Sequence, residues 1–214
     1  MEDKNQLELF NSGKVSTAVL KNAIPAMVAM LMVLVYNLAD TFFIGQTKDD
    51  LQVAAVAMCT PVFLMFMSVG TIFGLGGTSV IARALGEGRV DYAKKVSSFC
   101  MWSCTVIGIV MAAAFLLCMD GLLTLMGVSA DVWNHAKTYM TIVTFSGPFV
   151  ILSNCFSGIL RAEGQPTTSM NGMLLGNLTN IILDPIMIMW LGWEIAGAAI
   201  ATVIGNVLAG CYYL

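Results

Sequence analysis

A chain of 214 residues that is 58% hydrophobic and only 11% charged, with a mean hydropathy of +0.83, has too little polar surface to stay dispersed in water, where domains run about a quarter charged. A soluble domain is excluded, and the solvent for most of these side chains is lipid. The net charge of −3 comes with no basic run interleaved with aromatics, so nucleic acid is excluded as a partner.

The N-terminal segment mixes Glu2, Asp3 and Glu8 with Lys4, and no small-residue cleavage site follows the first apolar stretch. The first hydrophobic segment is therefore expected to be retained as a helix. A spanning helix needs about 20 mostly apolar residues. Six such segments follow in chain order: 17–43 with Pro25 inside it, 53–81, 96–119, 135–160, 167–191 and 195–214. The chain reads as an all-α integral membrane protein, a six-transmembrane-helix bundle over 1–214. A turn is expected at 46–50 and a polar connector at 83–95, lying as a short amphipathic helix on the membrane surface. A loop holding Asp120, Gly127, Ser129 and Asp131 precedes the fourth helix, a tight turn ending at Pro166 follows it, and Gly192, Trp193 and Glu194 form a short outer turn. The sixth segment is still apolar at Leu214, so a truncated chain is expected.

Positive charges prefer the cytoplasmic side. With the N-terminus inside, Lys4, Lys14, Lys21, Arg83, Arg89, Lys94, Lys95 and Arg161 are cytoplasmic, and only Lys48 and Lys137 are outside. The sequence thus predicts a multi-pass protein of the plasma membrane with a cytoplasmic N-terminus.

The informative residues are polar ones within spans. A charge at the bilayer centre costs about 2.5–3.5 kcal/mol on insertion scales, yet Asp40 lies in the first helix and Asp184 in the fifth, and no lysine or arginine deep in a span is available to neutralise either. Asn177, Asn180 and Asp184 stand at i, i+3 and i+7, on one helical face, while Tyr36 shares the face of Asp40 and Asn37 flanks it. Asp40 precedes Lys48 by eight residues, Asp184 precedes Trp193 by nine, and Thr202 follows Glu194 by eight. At 1.5 Å per residue all three fall roughly 12–14 Å below the outer rim, with Asn180 about a turn deeper. Two carboxylates, an amide and a hydroxyl at nearly one level suit a hard cation or a proton. Pro185 and Pro25 each remove a backbone donor, freeing carbonyls near Ile181 and Lys21, and are expected to bend their helices.

Other polar residues carry weaker signals. Asn154, about 10 Å from the inner turn, is expected with Thr144 and Ser157 to hold helices together. Asn154 is also kept with Tyr36, Asn37 and Asn177 as supporting residues of a substrate cleft. Gly70, Gly74, Gly76 and Gly77 have the spacing of close helix packing. The six cysteines (Cys59, Cys100, Cys104, Cys118, Cys155, Cys211) lie in apolar stretches and are expected to pack as small hydrophobes. The sixteen methionines fill gaps or offer an adaptable substrate surface. Trp190 and Trp193 suit an aromatic belt, and His135 is expected to have no role.

With these residues in order, the sequence resembles the multidrug and toxic compound extrusion (MATE) family of secondary transporters. The resemblance rests on Pro25 and DTFFIG at 40–45, ARALG at 82–86, GILRAEGQP at 158–166 and NLTNIILDP at 177–185. It implies one lobe, the N-terminal one, of a twelve-helix two-lobe transporter whose second six-helix lobe is a partner of this one. It further implies a cation site at Asp40, Asn180, Asp184 and Thr202, with Tyr36 at a neighbouring position.

The function expected is a proton- or sodium-coupled antiporter that exports organic cations and amphipathic drugs by alternating access, with no cofactor and no enzymatic activity. Neutralising the two aspartates would let the first helix bend at Pro25 and loosen the grip on a cationic substrate. A lipid-linked sugar flippase of the same superfamily is the nearest rival, expected to carry cationic residues in its cleft. An intramembrane aspartyl protease also needs two membrane aspartates, but in Tyr-Asp and Gly-x-Gly-Asp contexts, whereas here Ala39 and Leu183 precede them.

Overall fold

The computed structural model describes residues 15–47 and 49–213, without the side chains of residues 15–18, 21 and 22. Lys4, Lys14 and Lys48 and the Lys21 side chain, four of the cations used for orientation above, lie outside the described residues. The helices are α1 (Val15–Gly45), α2 (Asp50–Gly86), α3 (Val90–Leu117), α4 (Met119–Leu125), α5 (Ala130–Ala162), α6 (Pro166–Pro185) and α7 (Glu194–Tyr213), with a π-helical segment, Ile186–Trp190, running on from α6. All but the short α4 are long and apolar enough to cross a membrane, α6 together with its π segment. The protein is all-α, as its composition requires.

Local chemistry sets the ends. Asp49 caps α2, its Oδ1 accepting from the Leu51 N–H at 3.0 Å. Pro166 opens α6 in the first turn, where a missing N–H costs nothing. Serine and threonine hydroxyls within spans return to the carbonyl four residues back, as Thr60 does to Val56 at 2.9 Å.

Three connectors differ from expectation. The 83–95 segment is no separate surface helix. α2 continues through Arg83 to Gly86, Gly88 turns the chain at φ +73°, and α3 starts at Val90. A glycine in the left-handed region closes this turn in three residues, and Glu87 pairs with Arg89 across it. The loop expected around Asp120 contains α4, which buries Met119 and Leu123. The fifth span is α-helical only to Pro185. Beyond it the chain widens into the π turn, where Leu191 N–H bonds the Ile186 carbonyl at 2.9 Å.

α5 is the hub. Its apolar span window is 61% buried, against 17% for α1, and it packs on α2, α3 and α7. Close approach to α2 depends on glycines. A Cβ on Gly70 would fall 2.6 Å from the Ile151 carbonyl oxygen, and Gly147 lies under the Phe66 ring. The Thr78 hydroxyl bonds the Gly158 carbonyl across this seam at 2.8 Å. Gly77 meets Cys100 of α3, but Gly76 faces open space and takes no part in the seam. Cys59, Cys100, Cys104 and Cys155 are buried, whereas Cys118 and Cys211 are exposed and do not pack as expected. α1 lies chiefly against α6, and α6 against α7, which brings the polar faces of all three together.

Candidate cation site and substrate cleft

Asp40 on α1, Asn180 and Asp184 on α6 and Thr202 on α7 are all buried, Asp184 completely. Asn180 and Thr202 are joined at 3.0 Å. The amide orientation that satisfies both ends has the Asn180 nitrogen donating to Asp184 Oδ2 at 2.9 Å. Its oxygen then accepts from the Thr202 backbone N–H and hydroxyl, each at 3.0 Å. Asn180 is therefore the hinge of the cluster, tying the carboxylate of one helix to the hydroxyl of the next.

One oxygen of each carboxylate is without a donor among the described residues. Oδ1 of Asp40 and Oδ1 of Asp184 are buried without a hydrogen-bond partner among the described residues, and neither aspartate has an ion pair there. The two charges are close enough to repel each other. Buried bare carboxylate oxygens are costly, and a proton or a cation coordinated by oxygen removes that cost. The donor set, two carboxylates with an amide and a hydroxyl oxygen, fits a proton or sodium. Tyr36 reaches the cluster from α1, lining the cleft with Asn180 and Thr202. Tyr139 of α5 is buried within electrostatic reach of both aspartates. Sequence reasoning missed Tyr139, because nothing in its surroundings marks which face of α5 points to α1 and α6.

Against this cluster opens a cleft of about 420 Å³. Tyr36, Asn180 and Thr202 belong to both; Asn37, Asn154 and Asn177 line the cleft alone. The Asn177 amide nitrogen is buried without a partner among the described residues. Among the described residues the Asn154 side chain bonds its own helix, donating to the Val150 carbonyl at 2.9 Å. Together with Thr144, whose buried hydroxyl has no partner among the described residues, it does not hold helices together as expected. Ser157 does, meeting Ser169 at 2.8 Å. Asn206, one turn from Thr202 on α7, also lines the cleft. Its i+4 spacing made it legible, and it was missed.

Pro25 sits inside an unbroken α1, and Pro185 ends α6 at the start of the π turn, one residue beyond Asp184. Arg161, in the last turn of α5, donates to Ser157 Oγ at 2.9 Å, and Ser157 lines the cleft with Tyr213.

The MatE family model matches residues 25–186. Multidrug export protein MepA of Staphylococcus haemolyticus (strain JCSC1435) is 35% identical over the whole of this chain, which covers 47% of that protein. A structure described as the outward-facing conformation of a multidrug resistance MATE family transporter of the MOP superfamily superposes with a TM-score of 0.87 at 30% identity, covering 92% of this chain and 43% of that one. A MATE proline-to-alanine mutant gives 0.90 at 29% identity, over 96% and 46%. The chain spans about half the length of the curated relatives it matches, and it belongs to the MatE family of membrane transporters.

Proposed function

We propose that this lobe carries the cation-coupling site and part of the drug-binding cleft of an antiporter that exports organic cations and amphipathic drugs. The observation that carries the reading is the pair of bare Oδ1 atoms on Asp40 and Asp184, set beside a cleft that shares Tyr36, Asn180 and Thr202 with them. While unneutralised, the pair attracts a cationic drug into the cleft. A proton or sodium ion bound between them removes that attraction and the repulsion between the carboxylates. The contact of α1 with α6, the helices that carry Asp40 and Asp184, is then free to tighten, and flexure at Pro25 closes the cleft and expels the drug. The names of the relatives, which are multidrug export proteins, support the substrate class.

Transport needs a second six-helix lobe to close the other side of the cleft, and the chain's coverage of about half its relatives supports that partner. The proposed orientation puts Arg83, Arg89, Lys94, Lys95 and Arg161, the described cations at the α2–α3 and α5–α6 ends, in the cytoplasm of a plasma-membrane protein. Reconstituted into liposomes, the complete transporter should drive ethidium efflux under an imposed proton or sodium gradient. Efflux indifferent to both gradients would overturn the reading.

A further inference from the structure

Asp40, Asp184 and Thr202 each have an apolar residue one turn nearer the rim on their own helix. Ile44 stands four residues beyond Asp40, Ile188 four beyond Asp184, and Ala198 four before Thr202. These three form a buried cluster of their own, separate from the main core, with Phe43, Val53 and Val56 packed around it. A third layer lies above. Gln52, almost wholly buried, donates from its amide nitrogen to Glu194 Oε2 at 2.8 Å and to Asp49 Oδ2 at 3.2 Å. That amide joins the start of α2 to the start of α7 across the top of the apolar layer. Glu194 is held there at φ +47°, a left-handed conformation that costs a non-glycine residue energy. Beneath it, Gly197 lets the Met187 backbone of the π turn approach to where a Cβ would lie 2.9 Å away, which sets Ile188 into the layer.

We propose that Ile44, Ile188 and Ala198 form a permanent seal between the aspartate pair and the rim, stapled by the Gln52 bridge, so that the coupling cation enters and leaves only through the cleft. The seal accounts for a layer with no side-chain oxygen to offer a passing cation. On the opposite side, Asn180 and Thr202 line the cleft, and the Asn180 nitrogen donates to Asp184 Oδ2. Cation and drug then share one mouth, and occupancy by one blocks the path of the other. The inference deepens the proposed coupling site, but its test reads access and not transport, so either can fail alone.

The test uses the full-length protein in detergent with Cys118→Ser and Cys211→Ser. Asp40 and Asp184 are amidated by a water-soluble carbodiimide with glycine ethyl ester and read by mass spectrometry. Asp49 and Glu194 at the rim report that the fold is intact. A bulky maleimide on Asn206→Cys, in the cleft, should slow labelling of Asp40 and Asp184 by about tenfold or more, since only rare openings then admit the reagent, and leave Asp49 and Glu194 unchanged. With the cleft blocked, Ile188→Thr or Gln52→Leu should restore labelling. Labelling that ignores the cleft block overturns the seal, as does failure to label either aspartate when the cleft is open.

Discussion

Gly158 of α5 and Gly74 of α2 approach so closely that a Cβ on Gly158 would fall 2.7 Å from the Gly74 Cα. The neighbour there is backbone, which cannot rotate aside as a side chain can. This contact fixes the spacing of the two most extensively packed helices and, through α5, the position of the cleft wall that holds Asn154.

Gly158→Ala should therefore destabilise the protein by about 1–3 kcal/mol, the usual cost of overpacking, read as a lower unfolding midpoint in detergent. Gly76→Ala is the control, because nothing lies within 4 Å of its Cβ. It should leave stability unchanged or raise it by up to about 1 kcal/mol through helix propensity. Equal effects at both positions would show that the glycine seam is not what holds α2 to α5.

Topology gives a second expectation. Val90 opens α3 directly after the Glu87–Arg89 turn and is exposed. In a Val90→Cys variant of the full-length protein lacking Cys118 and Cys211, an impermeant thiol reagent should label position 90 only from the cytoplasmic side. Labelling from outside in intact cells reverses the orientation.

The cleft is walled by this lobe on one side, where Asn37 is exposed. Residues 1–214 expressed alone should insert into the membrane yet confer no drug resistance. Resistance from these residues as a monomer would show that one lobe suffices.

Thr202→Val separates the two candidate ions. The hydroxyl is one of the oxygens available to a metal cation, but a proton can bind a carboxylate without it. Coupling to protons should survive with at most a modest loss, whereas coupling to sodium should fail. Efflux under each gradient, compared with wild type, decides between them. The loss of the Asn180 contact at 3.0 Å should appear in both cases only as a small change in stability.

How much of this was legible in the sequence follows from what periodicity can and cannot carry. Length and hydropathy located the six spans, because a bilayer demands about 20 apolar residues wherever a helix crosses it. Asp40, Asn180, Asp184 and Thr202 were legible because charge and depth in lipid are one-dimensional properties, and their separations along three helices put them at one level. Helix rotation is not one-dimensional. Tyr139 comes within electrostatic reach of the aspartates through the tertiary placement of α5, and Thr144, five residues on, buries a hydroxyl that has no partner among the described residues; no local pattern distinguishes the two. The connector at 83–95 misled because its charges read as a break, although helical residues with charged side chains at a membrane surface need none. The π turn after Pro185 had a signal, the missing N–H, but its consequence, a helix that widens without stopping, depends on the packing of Gly197 against Met187.

The central claim is that Asp40 and Asp184 couple transport to a cation. The direct measurement is gradient-driven efflux by Asp40→Asn and Asp184→Asn variants of the complete transporter across a range of external pH. Asparagine keeps the volume and some hydrogen bonds but cannot exchange a proton, and removing a charge that is costly in lipid should not unfold the bundle. Both variants should reach the membrane at wild-type levels and lose gradient-driven efflux. Normal efflux by both at every pH would make the aspartates structural and contradict the account.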